Sequence, residues 1–582
     1  MLKSTKIPFL LFALSTMVLT CCQKEDNHEH DYVLEKDTDV PTIIDRGVAT
    51  YRCSICHKTK EDYFYDLNEY AFEDQTFMYD GQEHRLTIKG LIPYGTTVEY
   101  ENNVLTEIGS KEATAKIYDD KHQLIDSKKA TINVVNNAGF PNVRIDTNKV
   151  AVTSKEEYVS MRLSTDNCLP KYQYDNVPGG VRCRGNGTMT YDKKAYRIKF
   201  DSKNNLFGLN NELKAKSWVF LADYVDQSML RNETAFYIGN SLFNYSNNYA
   251  SDYMHVNVYL NGEYNGVYLL AEQQQANKGR IKINEADDGY TGTDVGYLLE
   301  LDHYANEEDY YFTVGKGGQG GFGPSQQSGD KLDGVSLPSR DYAIKTDCFS
   351  NNQANFIKNY LTNAYYAFYR TVKGEGLFVL DENNNIVNSP YPTMYETLNS
   401  FIDLESVFKM YILQELIKNV DVGYSSFYMF VDFSQNSRYK RLTFGAPWDF
   451  DWSSGNVKES LLIGTDGEYN SKSFNYMNPW FFILSRSDFF QEKMTKYYHV
   501  FNKSQILESA IAQNDYEASA FKNEFAHNYD KWKNLGQVTP KYTPDLVKNF
   551  KTHKDAVDYL NDWLKARKKY LDGVWLKVET KK

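Results

Sequence analysis

The chain has 582 residues, of which 41% are hydrophobic and 24% charged, with a formal net charge of −12. That length allows two or three domains, and that composition belongs to globular rather than disordered chains. The charge speaks against nucleic acid as a partner, because phosphate contact needs a concentrated basic face and no Lys/Arg-rich block of that size is present.

At the N-terminus, Lys3 and Lys6 precede an apolar run from Ile7 to Leu19 that is too short to span a bilayer and ends in "LTCCQKEDN". This stretch resembles a bacterial lipoprotein signal. The resemblance implies a lipoprotein signal over 1–22 that is cleaved just before Cys22, lipidation of Cys22, and an exported protein held at the cell envelope by a lipid anchor and exposed at the surface. An ordinary secretory signal is the alternative. Beyond it, Cys53, Cys56, Cys168, Cys183 and Cys348 form an odd set and not a disulfide framework. Cys53-Ser-Ile-Cys56 is a C-x-x-C hairpin with His28 and His30 upstream in "HEHDY", so these four side chains are candidate ligands of a structural zinc ion, with a Cys53–Cys56 disulfide as the alternative. The stretch "VATYRCSICHKTKED" resembles small zinc-ribbon-like modules of bacterial surface proteins, although their usual upstream cysteine is missing here. This small Cys/His module is expected over 23–66.

From Tyr70 to Val135, "HRLTIKG", "TVEYENN", "EATAKIY" and "KATINVV" alternate in polarity between Gly, Pro and Asn turn signals, which predicts an all-β segment. It resembles an MBG-type bacterial immunoglobulin-like domain, implying a β-sandwich spacer over 67–137. After "NNAGFP", strands and helices mix. The polar, Gly-rich stretch from Gly315 to Asp333 predicts a mobile insertion. Towards the C-terminus, Ala556, Leu560, Trp563, Tyr570 and Val574 share one helical face, which predicts core packing.

Five segments in this last region carry chemistry. In "VRCRGNGTMTYDKKAYRIKF", Arg182, Arg184, Lys193, Lys194, Arg197 and Lys199 surround the Gly185-Asn186-Gly187 turn, the local chemistry of a phosphate clamp. A charged edge strand would look the same. "SWVFLADYVDQSMLRNETAF" is a buried strand followed by a helix, with Asp226 and Ser228 suited to capping. "HVNVYLNGEYNGVYLLAEQ" reads as a hairpin turning at Asn261-Gly262. "YILQELIKNVDVGYSSFYMF" leaves Asp421 at the C-terminal turn of a helix, where an acid opposes the helix dipole and is disfavoured structurally. "APWDFDWSSGN" predicts a strand with Trp448, Phe450 and Trp452 on one face and Asp449 and Asp451 on the other. Two carboxylates so placed need a positive partner, either a divalent metal or a Lys or Arg.

In this order the segments resemble the spore coat protein H (CotH) kinase family, over about Phe140 to Val574. The resemblance implies an α+β atypical protein-kinase-like domain over 140–576 that uses ATP with Mg²⁺ or Mn²⁺ to phosphorylate Ser or Thr of secreted or surface proteins. It makes Asp421 the catalytic-loop acid, Asp449 the counterpart of the metal-binding Asp of the kinase D-F-G motif, and Asp451 a further metal ligand. Lys199 becomes the phosphate-binding strand lysine, with Arg184, Asn186, Lys194 and Glu272 as further nucleotide-binding residues. Where many relatives carry Asn five residues after the catalytic-loop Asp, this chain has Ser426, a weaker metal ligand. A rival to Lys199 is Lys345, which closes "YAIK" after the G-x-G-x-x-G pattern Gly315–Gly320. The alternative function is a kinase-fold surface protein, weak or inactive in catalysis, acting in adhesion or envelope structure.

Overall fold

A computed structural model describes residues 29–36, 40–246, 248–316, 329–458, 463–473, 476–539 and 542–576. Cys22, His28 and most of the Gly315–Asp333 insertion lie outside the described residues. The chain divides into a body ending at Tyr65 and a second body from Asp66 onwards that also takes up Ile43–Asp45.

In the first body, β1 (Tyr32–Lys36), β2 (Gly47–Cys53) and β3 (Thr59–Phe64) pair antiparallel as β1-β2-β3. Ala49 and Cys53 are its buried hydrophobic residues among those described.

The second body opens with the segment expected to be all-β, and it is. Strands β4 (Gln75–Met78), β5 (Thr97–Glu101), β6 (Gly109–Tyr118) and β7 (Leu124–Val135) form a sheet in the order β4-β7-β6-β5. Ala113, Ala115 and Ile117 of β6 alternate with more exposed residues, the period-two pattern read from "EATAKIY", and join Ala130, Ile132 and Val134 of β7 in one core, with Ala113 directly opposite Ala130. This sheet is not a separate spacer. Met78 N–H donates to Tyr516 Oη at 2.9 Å, Ile92 N–H to Ser504 Oγ at 2.9 Å, and Lys409, fully buried, pairs with Glu69 at 2.6 Å.

A closed seven-stranded barrel follows: β8 (Asn142–Asp146), β9 (Val159–Asp166), β10 (Val177–Arg184), β11 (Ala195–Asn204), β12 (Ala215–Leu221), β13 (Tyr253–Leu260) and β14 (Glu263–Glu272), in the order β8-β9-β10-β11-β12-β14-β13. The predicted hairpin joins β13 to β14, with Asn261 and Gly262 at φ 52° and 85°. In β14, Tyr268 and Leu270 fill the barrel while Val267, Leu269 and Ala271 enter the main core outside it. Both faces are dry, which is why "VYLLA" is an unbroken apolar run.

The α+β remainder is built on β15 (Gly296–Leu301), β16 (Tyr311–Val314), β17 (Arg340–Ile344), β18 (Phe427–Asp432) and β19 (Thr443–Phe444), ordered β16-β17-β15-β18-β19. Helix α1 (Arg231–Phe243) follows the barrel strand β12, and α2 (Leu404–Ile417) leads towards β18. Every residue of α2 except Glu405 is buried. A helix with no polar face can only sit in a core, and its buried ions need partners. Glu415 accordingly pairs with the fully buried Arg567 at 2.7 Å. Arg567 belongs to the last helix, α3 (His553–Trp575), which a Thr552/Asp555 capping box starts. Ala556, Leu560 and Trp563 of its predicted face are buried, and Tyr570 and Val574 pack partly buried at the same core.

Candidate active site

Four connections of this framework end at one place, and each brings aspartates. After β12 the chain leaves the barrel through Asp223 and Asp226. Asp226 accepts from Ser228 N–H at 2.9 Å and Arg231 N–H at 2.8 Å and pairs with the Arg231 guanidinium, so it starts α1 as its sequence position suggests. Asp223 accepts from Asn232 Nδ2 at 2.7 Å. Strand β15 ends at Asp302, which accepts from Ser425 Oγ at 2.7 Å. Helix α2 stops at Lys418, in the left-handed region at φ 47°, and a single 3₁₀ turn, Val420–Gly423, carries Asp421. Asn419 ties this turn down: its Oδ1 accepts from Asp421 N–H at 3.2 Å and its Nδ2 donates to Asp449 O at 3.3 Å.

The fourth connection is the segment after β19, and here the predicted strand does not form. Asp449 sits at φ 66°, so alternation breaks at that residue. Trp448 and Phe450 pack on Phe236 with ring centroids 5.4 and 6.0 Å away, whereas Trp452 turns to Tyr542 at 5.4 Å. The bend is fixed by Phe450 N–H donating to Asn232 Oδ1 at 2.7 Å and by Ser426 Oγ donating to Asp449 Oδ2 at 3.0 Å. Asp449 and Asp451 thus come to the same recess by a left-handed bend and not by strand alternation.

Asp421, Asp449 and Asp451 are partly buried and meet Asp302, Asp223 and Asp226 within Coulombic reach. Burial, then the charges of Asp449 and Asp302, hold the Asp421 carboxyl well above the usual carboxylate range. Burial, then Asp449, Asp223, Asp226 and Asp421, do the same to Asp451. Asp223 is pushed up to about 6, again chiefly by burial. The cluster is therefore short of positive charge. Its oxygens do not form a closed cage: among the described residues the groups of three donor atoms within 4.8 Å of one another are His30, Cys53 and Cys56, and Glu233, His255 and Glu517. An open set of carboxylates suits Mg²⁺ or Mn²⁺, since Mg²⁺ usually keeps waters and substrate phosphates in its shell.

Positive charge stands on the barrel beside this recess. Arg184 lies over the Trp448 ring at 5.4 Å and within reach of Tyr428, which itself neighbours Glu300 and Asp302. Arg197 is near Arg182, Arg184 and Arg280; burial, with these like charges adding to it, lowers its pKa. The Nε atoms of Arg182 and Arg197 are buried without a hydrogen-bond partner, so both retain capacity for an anion. Below the glycine turn an open cleft of ≈ 420 Å³ is lined by Lys155, Asn186, Gly187, Met189, Tyr304 and Glu307. Lys155 spans it, donating to Asn186 Oδ1 and Glu307 Oε2 at 2.7 Å each.

The remaining sequence candidates fall elsewhere. Lys194 donates to Met189 O at 2.9 Å and to Tyr191 O, holding its own loop. Glu272 is fully buried and pairs with Arg280 at 2.9 Å, which is a structural role and corrects the nucleotide-binding expectation. Lys199 is exposed on the outward face of β11, two positions beyond Arg197, and no ion pair engages it among the described residues. Lys345 pairs with Glu300 at 3.2 Å and with Glu308. Glu300, whose carboxyl burial pushes up to about 7, also neighbours Asp302, so Lys345 stands behind the aspartates as a counter-charge. Gly317–Gly320 of the rival glycine pattern lie outside the described residues.

Residues 181–571 match the family profile described as CotH kinase protein, more than half of the chain. The chain belongs to the CotH kinase family. The matched span begins on β10 and includes all six aspartates, Arg182, Arg184, Arg197 and the glycine turn, whereas the β-rich region before it lies outside the match. No curated protein matches the chain at a significant level. For this CotH kinase family protein, sequence reasoning missed Asp302 and Asp223. Both follow apolar strands, in "YLLELDH" and "VFLADY", and an acid ending a dry segment is the signal that could have found them.

Proposed function

We propose that the protein is a divalent-metal- and ATP-dependent protein kinase that phosphorylates Ser or Thr of secreted or surface proteins. The observation that carries this reading is the recess in which burial and the neighbouring carboxylates hold the Asp421 and Asp451 carboxyls well above the usual carboxylate range, an environment that favours a bound cation. Asp449 and Asp451 would hold Mg²⁺ or Mn²⁺, which when bound supplies charge neutralisation to the nucleotide phosphates. Arg184 and Arg197, with Lys199 exposed two positions beyond Arg197 on the same strand, receive the phosphate oxygens. Asp421, on its rigid 3₁₀ turn, orients the acceptor hydroxyl and takes its proton. Ser426 does not displace Asp449; it donates to Oδ2 and leaves Oδ1 for the metal.

The lipobox and Cys22 support an envelope location with a lipid anchor, and the β-rich region before the matched span supports the immunoglobulin-like reading. Melting curves with and without Mn²⁺ and ATP test the site. Asp449→Asn should lose most of the metal-dependent shift while Asp421→Asn keeps it. If Asp449→Asn retains the full shift, the metal assignment fails.

A further inference from the structure

Among its described residues the first body has a small core: its three strands bury Ala49 and Cys53, while Val33 and Leu34 on β1 and Ile55 in the β2–β3 loop stay exposed at 56%, 47% and 60%. A sheet of this size is at best marginal without a disulfide, a metal or a partner.

The same body gathers three soft donor atoms. His30 Nδ1, Cys53 Sγ and Cys56 Sγ lie within 4.8 Å of one another, and Cys56 Sγ is 3.3 Å from His30 Nδ1. With Zn–S near 2.3 Å and Zn–N near 2.0–2.1 Å, a tetrahedral ion sets its N and S ligands about 3.5 Å apart, so the observed spacing fits. A thiol–imidazole hydrogen bond accounts for Cys56 and His30, whereas a tetrahedral ion accounts for the convergence of all three donors, the fully buried Cys53 included.

The loop is also shaped in advance. His57 N–H donates to Cys53 O at 3.0 Å and Cys53 N–H to Lys58 O at 2.9 Å, closing a tight knuckle with His57 at φ 61°. The strand that brings His30 is tied to this knuckle: Ser54 N–H donates to Asp31 O and Ser54 Oγ to Asp31 Oδ2, both at 2.9 Å. Cys53 stands opposite Tyr32 in the β1–β2 register, which sets His30 beside it. No disulfide joins Cys53 to Cys56.

We infer that His30, Cys53 and Cys56 are protein ligands of a structural zinc ion that holds the first body together. Binding releases the two thiol protons, and the two thiolates balance the charge of the ion. Its ligands belong to the first body and the aspartates of the recess to the second, so the two sites share no residue and can be tested separately.

The test is metal analysis of the full-length protein, purified in detergent without chelator. About one zinc per chain is expected in wild type and in Asp449→Asn, falling by about tenfold or more in Cys53→Ser/Cys56→Ser and in His30→Ala. Co²⁺ in place of zinc should give thiolate-to-metal charge-transfer absorption that the double serine variant lacks. Should the variants misfold, stripping wild type with excess chelator should accelerate proteolysis within 29–65 while the second body stays intact. The proposal is overturned if wild type carries no zinc and peptide mapping finds Cys53 joined to Cys56. It is equally overturned if zinc content survives in the double serine variant, or if chelation leaves proteolysis of 29–65 unchanged.

Discussion

Ser426 allows the sharpest perturbation of the site, because its hydroxyl has one clear task and its backbone can be held constant. It donates to Asp449 Oδ2 at 3.0 Å, and its φ is 58°. Alanine suffers in the left-handed region much as serine does, so Ser426→Ala removes the hydroxyl without adding strain. A hydrogen bond to a charged group contributes about 1.5–3 kcal/mol, which corresponds to between about tenfold and about 150-fold in an equilibrium constant. Part of that is recovered when water replaces the hydroxyl, so the Mn²⁺ concentration needed for half-maximal thermal stabilisation in the presence of ATP should rise by about tenfold. Ser426→Asn should do the opposite or nothing: asparagine is well tolerated at positive φ, its Nδ2 can donate to Asp449, and its Oδ1 adds a metal ligand. If Ser426→Ala titrates with Mn²⁺ as wild type does, the hydroxyl does not hold Asp449 for a metal and that part of the reasoning is wrong.

Three further outcomes follow from the same geometry. Lys409→Met should destabilise the second body by about 3–5 kcal/mol in chemical denaturation, because it leaves the buried Glu69 and the partly exposed Glu405 without their cation; adding Glu69→Gln should restore part of the loss. Asp223 has a folded pKa of about 6, above its unfolded value near 3.9, so its contribution to stability is present below about pH 4 and is lost as pH rises through about 6. Metal-free protein should therefore lose melting temperature between about pH 4 and about pH 6 more steeply than Asp223→Asn does, and the raised Asp451 carboxyl acts in the same direction. Cys22→Ala should move the protein from the membrane fraction to the soluble envelope fraction on cell fractionation, since one lipid-bearing residue is the proposed anchor.

What the sequence discloses follows the range of the forces involved. The Asn261-Gly262 turn, the dry strand "VYLLA", the all-β segment and the buried face of α3 are written in local period and turn chemistry, and all are where they were expected. Asp421 stands out in the sequence as a candidate because an acid after a helix C-terminus is locally unfavourable. The bend at Asp449 was not, because it is imposed by Asn232 and Ser426, which lie 217 and 23 residues away in the chain. The grouping of Asp302 and Asp223 with Asp421 is likewise a product of topology. Strand β15 sits between β17 and β18, and the barrel exit points to the same recess, neither of which a local pattern encodes. Lys194 and Glu272 misled because their residue types suit nucleotide binding while the fold spends them on a loop carbonyl and on Arg280.

The central claim is that this aspartate recess transfers phosphate to protein. Purified full-length protein incubated with γ-labelled ATP and Mn²⁺ or Mg²⁺, with itself and a panel of secreted proteins as acceptors, tests it directly. Wild type should place metal-dependent label on Ser or Thr, and Asp421→Asn and Asp449→Asn should each reduce it by about a hundredfold or more. Label that persists in both variants, or wild-type protein that binds Mn²⁺ and ATP through the recess yet transfers no label to any acceptor, would contradict the account.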